Sequence, residues 1–134
     1  MTNSNEHPDA AQNAEAIAAF RANGNPRMIL LTTVGAKSGQ LRTNPLLFFR
    51  DGERIIVAAS NHGYDSHPGW YYNLLAQPAV TVECGPDTFE ATATVTSGDD
   101  RARLLELSRG PFSFLEKYQA GTEREIQLVA LERA

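Results

Sequence analysis

Hydrophobic residues recur along this chain in short runs of six to nine residues, a common length for β-strands. Two runs, 79–84 and 88–96, alternate apolar and polar positions, as expected for strands with one buried face. Another, 27–33, is apolar and β-branched and favours a buried strand. The pattern predicts six strands, at 27–33, 41–49, 54–59, 79–84, 88–96 and 126–131.

Helical spacing of apolar residues appears in the segments outside these strands. It predicts helices at 11–23, 69–76 and 98–108, with a further short helix at 112–120. Gly24 suits the end of the first helix, Pro68 the first turn of the second, and Ser97 the N-cap of the third.

Short turns join most of the strands and make neighbouring strands antiparallel. Asp51-Gly52 is a strong hairpin signal, and residues 85–87 form another turn. Pro45 lies inside the predicted strand 41–49, and because proline has no N–H to donate, we expect it at a sheet edge or a bulge. About six mostly antiparallel strands with helices between them predict an α+β fold, a small closed or half-closed β-barrel with the helices packed outside.

Length and composition are those of one globular domain. The chain has 134 residues, of which 42% are hydrophobic and 21% are charged. Residues 1–10 are polar and aperiodic, so we predict a disordered tail at 1–10 and a single domain at 11–134. The only cysteine, Cys84, excludes a disulfide scaffold and a cysteine-rich metal site.

Signals for export or membrane insertion are missing from the pattern. No run approaches the ~18 apolar residues that span a bilayer, and the first residues lack the basic and apolar regions of a secretory signal. We therefore predict a cytoplasmic protein. Because the helix predicted at 11–23 carries no lysine, we expect peripheral membrane contact to be weak or absent.

Charge is unevenly distributed along the chain. Residues 16–50 contain five basic residues and no acid, whereas the rest of the chain carries a net charge of −9 and brings the total to −4. A basic segment in an acidic chain favours a local anion site over nucleic-acid binding. The alternative is that these cations only cover solvent-facing surfaces.

The segment from Gly35 to Gly39 looks like a phosphate-binding loop, but it is not a Walker A motif. Positions that the motif requires to be glycine hold Ala36 and Leu31. A glycine-bounded turn still exposes backbone N–H groups to an anion, and Lys37 and Arg42 lie five residues apart across it. A plain hairpin turn with two solvated cations is the alternative.

Aromatic residues are densest at 67–73, which contains the only tryptophan, Trp70. Aromatic faces beside a polar loop suit stacking on a flat ligand, although the same residues could anchor a short helix on the barrel. His62 and His67 are the plausible titrating side chains, but their spacing matches no common zinc pattern, and we predict no metal site. Nucleophile-elbow and dinucleotide-binding motifs are absent, which favours an enzyme whose cofactor supplies the chemistry.

Four blocks of sequence together resemble a known family. They are LLTTVGAKSGQLRTNPL (30–46), VAASNHGYDSHPGWYYNLLAQPAVTVE (57–83), TFEATATVTSGDDR (88–101) and YQAGTEREIQLVAL (118–131). In order and spacing they are similar to the deazaflavin-dependent nitroreductase and quinone reductase family of actinobacteria, which uses coenzyme F420. The likeness covers nearly everything from Leu30 to Leu131.

The resemblance implies a split β-barrel and an F420-dependent reductase of the quinone reductase or nitroreductase type. Such an enzyme passes a hydride from the reduced cofactor to a small hydrophobic acceptor such as a quinone, an enone or a nitro compound. Because F420 carries a phosphate and an oligoglutamate tail, it is strongly anionic and would be a partner for the basic segment.

The resemblance also implies the site residues. Those that match the family's cofactor-binding positions are Ala36, Lys37, Ser38, Arg42, Asn44, Pro45, Leu46, Ala58, Ala59, Ser60, Asn61, Trp70, Tyr71 and Asn73. Ser60 and Tyr118 match positions on the substrate side and are the implied catalytic hydrogen-bond donors.

Departures from the family's pattern lie on the substrate side. Asn61 and His62 follow Ser60 where relatives often have two glycines, and Leu115 stands where some nitroreductases have a tyrosine. Two alternatives stay open: a related split-barrel oxidoreductase that binds FMN, and a non-catalytic carrier or sensor of F420. Either a monomer or a homodimer is compatible with the sequence.

Overall fold

Antiparallel strands and flanking helices account for most of residues 10–134, the part of the chain that this computed structural model describes, with side chains from Asn13 onward. The strands within that range are β1 Met28–Val34, β2 Leu41–Leu47, β3 Phe49–Asp51, β4 Arg54–Ala58, β5 Ala79–Cys84, β6 Asp87–Val95 and β7 Leu128–Arg133. The α-helices are α1 Ala10–Asn23, α2 Gly69–Ala76, α3 Gly98–Leu107 and α4 Leu115–Ala120, and Asn61–Gly63 forms a short helical turn. Among the described residues no helix is both long and apolar enough to cross a membrane. The predicted tail, apart from Ala10 in α1, lies outside the described residues.

All seven strands of this range belong to one sheet, in the order β2-β1-β5-β6-β7-β4-β3. Every pair of neighbours is antiparallel. The two edge strands, β2 and β3, are consecutive in sequence and are separated by Phe48 alone. Since one residue spans only a few ångströms, the sheet curls into a half-barrel that brings its two edges together.

The predicted strand 41–49 is the main error of the sequence-based assignment, because it is two strands. The chain leaves the β1 side of the sheet at Phe48, whose N–H donates to the Arg27 carbonyl at 3.2 Å, and then joins β4. Pro45 lies in the edge strand β2, opposite Leu30, as the prediction required.

The last strand and the last helix also begin later than predicted. Residues 126–131 were expected in the strand, but β7 covers Leu128–Arg133. The Ile126 N–H donates instead to the side-chain Oε1 of Gln119 at 2.8 Å, which ties this residue to α4. The helix expected at 112–120 covers only Leu115–Ala120, and residues 109–114 form turns.

Two apolar clusters pack on the two faces of the curled sheet. In β4, Ile55 and Val57 join the cluster under α2, whereas Ile56 joins the one under α3 and α4. This division follows from the two-residue period of a strand, which sends successive side chains to opposite faces. Trp70 belongs to the first cluster and Phe112 to the second.

The N-terminus of α3 is held by ion pairs. Ser97 occupies the predicted N-cap position, but its side chain makes no capping hydrogen bond. Asp100, in the first turn, and Asp51, at the end of β3, both accept hydrogen bonds from Arg54 and Arg103. These guanidinium groups hold the pKa of Asp51 and that of Asp100 below their usual values, and the network fastens α3 to the β3–β4 hairpin.

Two leucines one turn apart on α3 provide a matched test of this packing. Leu104 is fully buried in the second cluster, whereas Leu107 is 48% exposed. We expect Leu104→Ala to lower the free energy of unfolding by about 2–5 kcal/mol, because it leaves a cavity. Leu107→Ala should change it by no more than about 0.5 kcal/mol. Urea unfolding followed by circular dichroism measures both, and equal losses would contradict the assigned burial.

Candidate functional site

A cavity of about 1370 Å³ runs along the edge strand β2. Its walls come from α1, the β1–β2 turn, the first half of α2, the loop after β4 and the segment 112–118. Most of the residues singled out from the sequence line it: Ala36, Lys37, Ser38, Arg42, Asn44, Pro45, Leu46, Ala58, Ser60, Asn61, Trp70, Asn73 and Tyr118. The fold therefore brings together residues from four separate stretches of the chain.

Ala59 and Tyr71 were expected in this set but do not line the cavity. Ala59 is buried in the first apolar cluster, and Tyr71 packs its ring against His67, with the ring centroids 4.4 Å apart. Because an α-helix turns once in 3.6 residues, Tyr71 points roughly opposite to Gly69 and Asn73, which do line the cavity. The neighbouring Tyr72, not singled out from the sequence, is the lining tyrosine of α2.

Positive charge is concentrated at the turn end of the cavity. Among the described residues, Lys37 and Arg42 line it, no acidic residue does, and neither cation forms an ion pair. None of the other three basic residues of the segment lines the cavity: Arg21 pairs with Glu83 at 2.9 Å, Arg50 donates to the sulfur of Cys84 at 3.3 Å, and Arg27 precedes β1. The basic segment thus contributes two cations to the site.

The turn itself is tightly closed. The Gly35 N–H donates to the Gln40 carbonyl at 2.7 Å, and the Gln40 N–H donates to the Ser38 hydroxyl at 3.1 Å. A Cβ atom on Gly35 would lie 2.5 Å from the Ser38 hydroxyl oxygen, so a larger residue there would displace the hydroxyl that accepts from Gln40. The backbone N–H groups of Lys37 and Ser38 have no acceptor within the described part of the chain, which leaves them available to an anion.

Asn73 connects this turn to α2. Its Oδ1 accepts from the Ala36 N–H at 2.9 Å, and its Nδ2 donates to the hydroxyl of the buried Thr33 at 3.1 Å. Both ends of the amide are therefore engaged. The side chain that the sequence placed in the binding site also fixes the position of the anion-binding turn.

Another part of the cavity lining is an aromatic wall formed by Phe112, Phe114, Tyr118 and His62. The Phe114 ring lies 5.6 Å from that of Phe112 and 5.3 Å from that of Tyr118. The His62 ring lies 6.5 Å from Tyr118 in an edge-on arrangement. Sequence reasoning missed Phe112 and Phe114, since their closely spaced rings in FSF were assigned to a helix, and only the aromatic density of that segment could have indicated them.

The loop after β4 carries an uncommon backbone conformation. Three consecutive residues, Asn61, His62 and Gly63, have φ angles of 44°, 56° and 78°. A Cβ atom on Gly63 would lie 3.2 Å from Cδ1 of Tyr118, so the loop and α4 approach each other closely there. Non-glycine residues in this region cost about 1–3 kcal/mol each and cluster at functional sites.

His67, at the end of the same loop, is held in its neutral form. Arg124 can only donate, so Nδ1 of His67 accepts from Nη1 of Arg124, at a distance of 3.2 Å. Burial, with a further contribution from the Arg124 charge, lowers the pKa of His67. His67 therefore serves as an acceptor in this loop and does not line the cavity.

This chain is similar to known proteins in sequence and in fold. A family model described as F420H(2)-dependent quinone reductase matches residues 4–133. An F420H(2)-dependent quinone reductase of Mycobacterium tuberculosis strain H37Rv is 39% identical over 116 residues, which cover 84% of this chain and 78% of that protein. The structure of an F420-H2 dependent reductase, FDR-A, aligns with a TM-score of 0.73 and 33% identity over 79% of this chain and 94% of that chain. A structure described as a domain-swapped dimer aligns with a TM-score of 0.74 and 28% identity over 91% of this chain and 98% of that chain. The split-barrel fold class is thereby confirmed.

His67 should make stability depend on pH. Because its pKa is lowered in the folded protein, the unfolded chain binds the proton more readily. The stabilising contribution is complete above the ordinary pKa of 6.5 and is lost as the pH falls through the folded value. We expect the free energy of unfolding of the wild type to fall more steeply below pH 6.5 than that of His67→Asn. Urea unfolding at a series of pH values measures this, and identical slopes would contradict it.

Proposed function

Because this chain belongs to the F420H(2)-dependent quinone reductase family, we propose that it reduces a small hydrophobic acceptor with a hydride from reduced coenzyme F420. A quinone or an activated alkene is the proposed acceptor, and nitro compounds would be reduced incidentally. The observation that carries the proposal is the lining of one cavity, which combines aromatic rings with two cations that form no ion pair with another described residue.

The lining residues fit this cofactor. Lys37, Arg42 and the N–H groups of the turn form a part of the lining to which no carboxylate of the described residues contributes, which suits the phosphate region of F420. Trp70 and the β2 residues Pro45 and Leu46 supply the apolar surface for a flat ring system. At about 1370 Å³ the cavity exceeds the roughly 300–1,000 Å³ of ordinary ligand pockets, so cofactor and acceptor have room together.

Hydride is the chemistry that reduced F420 supplies when bound. The chain's own residues orient the acceptor, exclude water from it and stabilise the negative charge that develops on its oxygen. Ser60 and Tyr118 both line the cavity, Tyr118 as part of the aromatic wall. Their hydroxyl groups are the proposed donors to that oxygen. One of these hydroxyls or a water molecule then supplies the proton that completes the reduction.

Family membership favours F420 over the FMN alternative and an enzyme over a carrier. The assembly state and the cytoplasmic location stay predictions. A homodimer is part of the proposal because a structure that shares this fold is described as a domain-swapped dimer.

The double variant Lys37→Ala/Arg42→Ala tests the anion-binding end. We expect the Kd for F420 to rise at least about tenfold for each cation removed, since hydrogen bonds to charged groups contribute about 1.5–3 kcal/mol. The remaining binding should also depend less on salt concentration. A fluorescence titration of the purified protein with F420 measures both effects.

Arg109→Ala/Lys117→Ala is the matched control, because it also removes two positive charges. Both side chains are exposed, and neither lines the cavity. We expect its Kd to stay close to that of the wild type. Equal losses in the two double variants would mean that net charge, and not the turn, governs affinity.

Ser60→Ala and Tyr118→Phe test the acceptor end. Each should lower kcat with a quinone by up to about 10²–10³-fold, because each removes a donor to the developing charge. The Kd for F420 should change little in Tyr118→Phe. Tyr72→Phe is the control for Tyr118→Phe. It also removes a tyrosine hydroxyl from the cavity lining, but from α2, where no donor to the acceptor is proposed. Wild-type kcat in both Ser60→Ala and Tyr118→Phe would overturn their proposed roles.

A further inference from the structure

Arg124 directs its whole guanidinium group at one loop, residues 59–67, which lines the cavity. Nη1 donates to the Ala59 carbonyl at 3.1 Å, Nη2 to the Ser60 carbonyl at 2.7 Å, and Nε to the Tyr64 carbonyl at 2.8 Å. Nη1 also reaches His67, as described above. Three of the four acceptors are main-chain carbonyls, so Arg124 fixes the path of the backbone and not just one side chain.

The positions of these acceptors explain what the arginine holds. Ala59 and Ser60 precede the left-handed turn at Asn61 and His62, whereas Tyr64 and His67 follow it. Residues in left-handed conformations persist only where their surroundings leave no alternative. A planar guanidinium with donors at fixed angles can clamp both sides of such a turn at once, whereas an ammonium group cannot.

The positive charge of Arg124 has no carboxylate partner among the described residues. Burial lowers its pKa, so the charge is kept in a partly desolvated place. Charge-assisted hydrogen bonds to carbonyl oxygens therefore offset the cost of that burial. An arginine that donates to several main-chain carbonyls is typical of a residue that orders a loop. An arginine in a surface ion pair would not need these carbonyls.

Further contacts tie the same loop to the segment that carries Tyr118. The Arg124 carbonyl accepts from Nε2 of Gln119 in α4 at 2.6 Å, and the Thr122 hydroxyl donates to Oδ1 of Asp65 at 2.9 Å. Gly63 meets Tyr118 directly. The loop with Ser60 and the helix with Tyr118 thus form one hydrogen-bonded unit with Arg124 at its centre.

We propose that Arg124 is a positioning residue that holds Ser60 and Tyr118 in the relative placement that the acceptor requires. The inference rests on the proposed function, because those two hydroxyls are its proposed donors. Arg124 itself does not line the cavity, and its acceptors lie in the loop of Ser60 and not in the turn of Lys37. Its loss should therefore disturb turnover more than cofactor affinity, to which the same loop also contributes in the proposed function.

Arg124→Lys and Arg124→Ala test this in the full-length protein. We expect kcat with a quinone to fall about 10²-fold, the effect of a misplacement of about 1 Å, while the Kd for F420 rises far less than kcat falls. Guanidinium ion, at concentrations well below those that denature, should partly restore kcat in Arg124→Ala by refilling the site. Arg133→Ala, whose guanidinium stacks on Phe89 far from the loop, should show neither loss nor rescue.

NMR titration of His67 provides a readout that does not depend on activity. The ionisable groups around its ring are Arg124, Tyr71 and Tyr72, with Asp65 two residues away on the same loop. Because the Arg124 charge lowers the pKa of His67, that pKa should rise in Arg124→Ala and stay unchanged in Arg133→Ala.

The outcomes separate this inference from the proposed function. Wild-type kcat in both Arg124 variants would overturn it, and so would parallel losses of kcat, F420 affinity and thermal stability without rescue by guanidinium. If the wild type reduces no quinone or enone, the proposed function fails. The His67 titration then decides alone, and an unchanged pKa in Arg124→Ala would overturn the clamp.

Discussion

One residue, Phe48, separates the two edge strands of a seven-stranded sheet, and the rest of the described structure depends on that short connection. Two strands so close in sequence cannot lie at opposite ends of a flat sheet, since consecutive Cα atoms are only about 3.8 Å apart. The sheet must curl. The curl creates two separate apolar interiors, one under α2 and one under α3 and α4, with β4 contributing alternate side chains to each.

The same curl leaves β2 hydrogen-bonded on one side only and places it beside the cavity. An edge strand has main-chain N–H and carbonyl groups that no neighbouring strand uses. Pro45 has no N–H, so β2 has one such donor fewer. A ligand can therefore approach the backbone of β2 as well as its side chains. A strand in the middle of the sheet could not offer this surface, because its main-chain groups are already paired.

The two ends of the cavity are built on different principles. The turn end is closed by its own backbone hydrogen bonds and held by Asn73, so the two cations stand on a rigid support. The loop after β4 contains a left-handed turn, and the carbonyls on both sides of it accept hydrogen bonds from Arg124, a residue more than fifty positions further along the chain. The two parts of the lining therefore rest on different contacts. The departures from the family's sequence pattern at Asn61 and His62 lie in that loop.

Local patterns were sufficient for much of the secondary structure. Helix 69–76 and strand 79–84 were predicted to the residue. A proline lies directly before each element, and the apolar periodicity is a local property of the sequence. The turn between β1 and β2 was also predicted, since a turn of a few residues carries its own geometry, while its role in binding an anion stays a prediction. The F420-dependent family was recognisable from four blocks of sequence, and the family match confirms it.

Only the tertiary structure decided where the predicted site residues lie and which contacts between elements hold them there. The break at Phe48 interrupts no hydrophobic pattern, and the strand edge at Ile126 depends on Gln119. Tyr71 turns away from the cavity while Tyr72 enters it, which depends on how α2 docks on the sheet. Arg124 shows no local signal, because all four of its acceptors lie in a distant loop. Periodicity reports only which face of an element is apolar, whereas contacts between elements depend on how the whole sheet curls.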